Sequence, residues 1–363
     1  MCLPDSMSLV TASFPPGRRR NIAFAATGMG QPLGYALGLI LVGVFTGTIG
    51  WRWGFYITAI VVAVLFVASF YVLPEDGLDT KFSKDTWRRL AYDIHWVGVG
   101  ILALAFGLLS YALAMATLSY KNMARPQYIV LLVKRNKAAL IPNALWLNLP
   151  FLFICVVMFF TWAAFNAFQY ISTLFFQGVQ NISALQASIR FLPMAVIGVV
   201  TNVLAAHLVA KVNVNRLLGV SAVTTAISPI LMAVASPEWT HWAAAFVAMT
   251  LSPANGDVLW TISSLVICHA FPSNAQALAG SVFNTISQLG NSVRLAVAAV
   301  IAASVSAHDE SDSGSDTGSS QTPEQLLDGY RAAYWTIFAR MVVVCLVSGF
   351  GLRNVGKVGI KQD

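Results

Sequence analysis

Apolar runs separated by short polar or glycine-containing breaks repeat along almost the whole chain. Nine of them reach the length of about 20 residues that a helix needs to cross a bilayer: 22–44, 54–73, 96–118, 148–175, 190–210, 217–235, 242–268, 277–306 and 332–352. Each is too long and too evenly apolar for a buried strand. Most connections are short, so consecutive helices are expected to lie antiparallel and adjacent. Two stretches break this compactness, the charged segment Pro74–Asp93 and the Ser/Asp/Gly-rich run His308–Asp328, which reads as a solvated loop. Met1–Ser13 is too short to span. The basic cluster Arg18–Arg20 follows it instead of preceding it, which is not the layout of a signal peptide. It reads as the second half of a helix. The predicted fold class is all-α, a polytopic transmembrane helical bundle with about nine complete spans.

Composition narrows the function. The chain has 363 residues, 57% of them hydrophobic and 10% charged, with a mean hydropathy of +0.70. A soluble globular chain carries about 25% charged residues, so this one cannot clothe itself in a water-facing surface. A soluble enzyme, a nucleic-acid reader and a disordered chain are excluded on that ground. Cys2, Cys155, Cys268 and Cys345 lie far apart, in neither a disulfide nor a metal-ligand pattern. No metal, haem or other cofactor is expected. No GxxxxGK[ST] phosphate loop occurs, which argues against a pump driven directly by nucleotide.

The net charge of +7 fits basic loops on one side of a membrane. With Arg18–Arg20 in the cytosol and nine spans taken literally, nine Lys/Arg fall inside and eleven outside. One further crossing between Leu118 and Leu147 changes the partition to fifteen inside and five outside, and moves His308–Asp328 outside. The positive-inside rule prefers the second arrangement. Yet Tyr128–Val133, the apolar core of that segment, is six residues, about 9 Å of helix against a hydrocarbon core of about 30 Å. Either one of the nine spans is misassigned, or the segment dips in and returns, or a helix is missing there.

Several side chains inside the apolar runs carry candidate chemistry. Gly28, Gly30, Pro32, Gly34 and Gly38 crowd the run 22–44. Gly34 and Gly38 form a GxxxG that permits close helix approach, and Pro32 removes a backbone donor and kinks the helix. Asn166, Gln169 and Tyr170 share one face of 148–175, and Asn284, Gln288 and Asn291 share one face of 277–306. Uncharged amides in lipid must find partners, either as glue between helices or as the lining of a substrate path. Arg294 and Arg340 also lie within apolar runs, where an arginine snorkels or pairs. Of the fifteen acidic residues, Asp257 alone sits in the middle of an intact span. A carboxylate at that depth costs several kcal/mol unless it is paired or protonated. It reads either as a static partner of Arg294 or nearby amides, or as a proton carrier.

FPPGRRRNIAF (14–24), GQPLG (30–34), GWRWGFYI (50–57), LIPNALW (140–146), FNAFQY (165–170), LQASIRFLPM (185–194), LSPANGDVLW (251–260) and FPSNAQALAGSVFNTISQLGNSV (271–293) together resemble the major facilitator superfamily. The resemblance is closest to the fungal fourteen-span drug:proton antiporter branch, the aminotriazole-resistance-like group. It implies that three helices and part of a fourth are absent before Met1, and that a helix is absent between Gln127 and Lys134, where charge counting also places a gap. It implies that the Gly28–Gly38 stretch is the antiporter motif, where the two halves of the fold pack. It puts a small residue where this chain has Arg294. The implied organisation is residues 1–73 as a remnant of the N-terminal half, 74–147 as a charged linker with the central spans, and 148–363 as the C-terminal half.

The expected function is therefore transmembrane transport, not enzymatic catalysis. A proton-coupled exporter of a small molecule or drug would carry the proton on Asp257 and line its path with Asn166, Gln169, Tyr170, Asn284, Gln288 and Asn291. The expected partners are the lipid bilayer, a small-molecule substrate and protons, with no nucleic acid, and the chain is expected to act as a monomer in the plasma or vacuolar membrane. Two alternatives stand beside this: a non-functional truncated fragment or non-transporting membrane protein, and an uptake carrier for a sugar or amino acid.

Overall fold

A computed structural model describes residues 9–11, 13–15, 17–72, 148–209, 211–236, 244–271, 275–276, 278–292 and 323–353. The expected span 96–118, the segment 119–147, Arg294, most of the run 308–328 and nearly all of Met1–Ser13 lie outside the described residues. Within them every regular element is helical, as the apolar runs require.

Helix α1 (Arg18–Gly47) turns into α2 (Arg52–Val72) at Gly50, whose φ of +96° suits glycine. Its N–H closes the turn on Phe45 O at 2.7 Å. Helix α3 (Leu149–Leu174) starts where Asn148 Oδ1 accepts the Phe151 N–H at 3.2 Å, with Pro150 in the first turn. It runs on into one π-helical turn, Phe175–Val179. Asn181, at φ +51°, makes the corner, and Ser183 caps α4 (Ala184–Leu208) by accepting the Gln186 N–H. Helices α5 (Val214–Val234), α6 (Ala245–Leu251), α7 (Ala254–Ala270), α8 (278–292) and α9 (Pro323–Gly351) follow. Six of these, α1 to α5 and α9, are long and apolar enough among the described residues to cross a membrane.

Two expected boundaries change. The expected span 242–268 is two helices broken at Ser252-Pro253, where proline has no N–H to continue the ladder and the Asn255 N–H goes to Thr225 on α5 instead. Helix α9 begins at Pro323, inside the stretch read as loop. Proline is well placed at a first helical position, and Tyr330, Tyr334, Ile337, Met341 and Val344 then form one buried stripe.

Helix α1 lies along α4, and α9 packs against α3 and α5. Helix α7 is central, touching α1, α3, α4 and α5. Aromatic edges tie the bundle: Phe151 to Phe271 at 5.2 Å, Phe176 to Phe191 at 5.8 Å and Phe168 to Tyr334 at 5.9 Å between ring centres. Tyr334 Oη and Ser172 Oγ, both buried, share a hydrogen bond of 3.0 Å between α9 and α3.

Candidate functional site

Where α1, α3, α4 and α7 meet, a cavity of about 380 Å³ opens. Its wall combines aromatic rings (Tyr35, Trp162, Phe165, Tyr170), amides (Gln31, Asn166, Gln169) and Asp257, with no Lys, Arg or His among its lining residues. This is the composition expected of a small-molecule site, mostly apolar with a few polar groups that fix orientation.

The local sequence explains the convergence. Asn166, Gln169 and Tyr170 share one face of α3, and α3 presents that face to the cavity. Asn166 Nδ2 also donates to Trp162 O at 3.0 Å, and Gln169 Nε2 reaches Met194 Sδ at 3.4 Å. Gly198 on α4 is the pivot. A Cβ built there would stand 2.9 Å from Pro32 Cβ and 3.0 Å from Asp257 Oδ2. The missing side chain is what lets α1, α4 and α7 close on one point.

Asp257 lies in the first turn of α7, at the positive end of the helix dipole. Its Oδ2 is buried and has no hydrogen-bond partner among the described residues. Asn202 on α4 stands beside the carboxylate. The titratable side chains that share the cavity wall with it are Tyr35 from α1 and Tyr170 from α3. Asn202 itself is fully buried, donating to Gly198 O at 3.0 Å and accepting from Thr261 Oγ1 at 3.4 Å. A Cβ on Gly28 would come within 2.5 Å of its Oδ1.

The glycine-rich stretch of α1 is thus divided. Gly28 and Pro32 pack against α4 and α7. Gly30, Gly34 and Gly38 point elsewhere, and a Cβ on any of them would meet nothing within 4 Å. The second expected amide face is not brought to the cavity. On α8, Asn291 Nδ2 donates to Gln288 Oε1 at 3.3 Å, and Ser287 Oγ donates to Asn284 O at 2.7 Å. That helix is held by close backbone packing, since a Cβ on Gly290 would stand 2.5 Å from Phe159 O. Arg340 Nη1 is buried without a hydrogen-bond partner among the described residues.

Sequence reasoning missed Asn202 and Asn255, both fully buried, and Thr161 and Thr225 around them. The signal was present: an amide inside an apolar run, the same signal that selected Asn166. Asn255 stands two residues before Asp257. Its Nδ2 donates to Thr161 Oγ1 at 2.8 Å and its Oδ1 accepts from Ser221 Oγ at 3.1 Å, which joins α3, α5 and α7.

Comparison with known proteins fits this architecture. The family model "Major Facilitator Superfamily" matches residues 1–294. The chain is 42% identical to MFS-type transporter 1 of Pyricularia oryzae over 414 aligned positions, covering 99% of this chain and 67% of that protein. It is 25% identical to Efflux pump terJ of Aspergillus terreus, covering 92% of this chain and 63% of that protein. With the Aminotriazole resistance protein of Saccharomyces cerevisiae it shares 22% identity, covering 96% of this chain and 63% of the other. The chain thus spans about two thirds of the length of these relatives, or slightly less. A family match over most of the chain, a 42% identical fungal relative and a strand-free bundle of apolar helices among the described residues agree: this multi-pass membrane chain belongs to the major facilitator superfamily.

Proposed function

We propose that the chain works in proton-coupled export of a small molecule, with Asp257 carrying the proton and Asn166, Gln169 and Tyr170 bordering the substrate path. One observation carries this reading: Asp257 belongs to the wall of the cavity while its Oδ2 is buried with no hydrogen-bond partner among the described residues. A carboxyl so placed is satisfied by a proton, or by water or a cation entering the cavity. Alternating exposure to a proton-rich and a proton-poor side would populate the two forms in turn and couple helix rocking to the gradient. The relatives named as an efflux pump and as an aminotriazole resistance protein support export and the drug:proton antiporter branch.

In this reading residues 1–73 belong to the N-terminal half, 74–147 to the central linker and spans, and 148–363 to the C-terminal half. Gly28 and Pro32 seal α1 to its own bundle, while Gly30, Gly34 and Gly38 leave a face of α1 that permits close helix approach. Asn284, Gln288 and Asn291 join the path in another conformational state. A monomer in the plasma or vacuolar membrane completes the proposal. The Pyricularia oryzae alignment runs over 414 positions although this chain has 363 residues, which leaves room for a missing helix, and the proposal puts it between Gln127 and Lys134. Long-read sequencing of the transcript tests that part. A transcript that runs through Val130–Val133 with no further reading frame shows that no helix was lost from it.

The transport reading is tested with the purified chain in proteoliposomes under an imposed pH gradient, with aminotriazole as the first probe. Wild type accumulates the probe against its gradient. Asp257→Asn loses accumulation and keeps downhill exchange, and Asp257→Glu keeps part of the activity with an altered pH optimum. Accumulation by Asp257→Asn at the wild-type rate removes Asp257 as the carrier. A wild-type chain that moves no probe in any gradient favours the non-transporting alternative.

A further inference from the structure

The break between α6 and α7 is built, not merely permitted. Pro253 leaves Met249 O without its ladder donor, and Ser252 Oγ supplies one at 3.0 Å. In an unbroken helix the Asn255 N–H would bond Leu251 O. Here it donates instead to Thr225 Oγ1 at 3.0 Å, and the same hydroxyl donates to Leu251 O at 3.3 Å. A side chain from α5 is thus inserted into the backbone ladder of the neighbouring helix, one of the recognised causes of a kink. The Asn255 side chain then ties the opened segment to Thr161 on α3 and Ser221 on α5. Thr161 also lines the cavity, and Asp257 lies one residue past Gly256, a further lining residue.

We propose that Thr225 and Asn255 are positioning residues for Asp257. They hold α7 open at its start, so that the Asp257 carboxylate stands in the first turn of a helix, at the positive end of its dipole, and Thr161 passes cavity occupancy to this break. Four hydrogen bonds from two neighbouring helices converge on one short segment. If α7 needed only to be packed, an ordinary ladder bond would satisfy the Asn255 N–H. The arrangement is a two-position element. With Thr225 inserted, α6 and α7 are separate helices. With the direct bond from the Asn255 N–H to Leu251 O restored, they join, and Asp257 no longer lies at a helix start.

The inference rests on the proposed role of Asp257, so its test reads the hinge and the carboxyl separately. Both measurements use the full chain in proteoliposomes. Amide hydrogen exchange across residues 250–257 reports the break. Pro253→Ala, which restores the missing donor, slows exchange there by about fivefold or more as the ladder closes. Thr225→Ser, which keeps the hydroxyl, leaves exchange as in wild type. Modification by dicyclohexylcarbodiimide, which attacks protonated carboxyls, is read by mass spectrometry, with Asp257→Asn as the blank. Its rate at Asp257 changes about threefold in Pro253→Ala and in Thr225→Val, the size of a charge interaction at a helix terminus, and keeps the wild-type value in Thr225→Ser. Thr225→Val adds nothing further in the Pro253→Ala background. Unchanged exchange in Pro253→Ala overturns the hinge. Changed exchange with unchanged Asp257 modification overturns the positioning role, as does a loss in Thr225→Ser equal to that in Thr225→Val. A wild-type Asp257 that takes no label at any pH sinks the proton reading alone, while exchange still decides the hinge.

Discussion

Helices α2 and α3 are both apolar enough to span a membrane, yet they have opposite fates. More than half of the most apolar window of α3 is buried inside the bundle, and none of that of α2 is. Along α2, Phe55, Val62, Leu65, Phe66 and Tyr71 are all exposed among the described residues. Its polar side chains turn back on its own backbone, Thr58 Oγ1 to Gly54 O at 2.8 Å and Ser69 Oγ to Phe66 O at 2.6 Å. In α3, although Asn166 and Thr173 also bond their own backbone, three polar groups reach across: Thr161 to α7, Gln169 to α4 and Ser172 to α9. Hydropathy thus shows that a helix belongs in a membrane. The reach of its polar side chains shows whether it belongs to the working interior.

Substitutions that violate this division should fall in a definite order. The largest effect is expected at Gly290 and Gly198, where a side chain meets the Phe159 backbone or the Pro32 ring. Leucine at either position should destabilise the bundle by about 3 kcal/mol or more, seen as loss of monodisperse protein in detergent. Next comes the aliphatic core of α3. Ile171→Ala should cost about 2–4 kcal/mol in a reversible unfolding assay, whereas Val62→Ala on α2 should fall within about 0.5 kcal/mol of wild type. Equal costs would erase the distinction between the two helices.

Smaller in energy, but equally diagnostic, is the contrast within α1. Gly28→Ala sets a methyl group against Asn202 and Trp260, so it should lower both stability and activity. Gly34→Ala has open space among the described residues and should leave the stability of this bundle unchanged. A reversed order would mean that the packed face of α1 is the other one. Orientation is tested without changing stability at all. Single cysteines at Ser183, Asn213 and Ser313 in a cysteine-free background are exposed to an impermeant thiol reagent in sealed cells. In the arrangement with fifteen Lys/Arg inside, Ser183 and Ser313 lie outside and Asn213, beside Lys211 and Arg216, in the cytosol, so Ser183→Cys and Ser313→Cys should label and Asn213→Cys should not. Equal labelling of all three contradicts the proposed topology.

What could be read from the sequence follows the same division. Six of the nine expected spans stand as membrane-length helices among the described residues, legible because twenty apolar residues have few alternatives to a membrane helix, and the α3 amides were legible because helical spacing puts them on one face. The break in 242–268 was not read, although Pro253 was in plain view. Proline within a membrane helix is often absorbed, and only the position of Thr225, 28 residues earlier in sequence, turns it into a break. Asn255 is one amide in an apolar run, and its partners Thr161 and Ser221 lie on other helices. The partition of the α1 glycines was equally hidden. A GxxxG at Gly34 and Gly38 announces that close approach is possible, not which neighbour takes it, and here it is Gly28 and Pro32 that meet α4 and α7. Partners set by tertiary contact carry no local signal.

The central claim is that the Asp257 carboxyl, whose Oδ2 has no hydrogen-bond partner among the described residues, exchanges a proton as the transporter works. Infrared difference spectroscopy of the reconstituted chain, recorded while pH is stepped across the range in which transport runs, tests this without any substrate. The account predicts a protonated-carboxyl band that grows and fades reversibly with pH in wild type, shifts in Asp257→Glu and is absent from Asp257→Asn. An identical titrating band in Asp257→Asn, or no band in wild type, would contradict it.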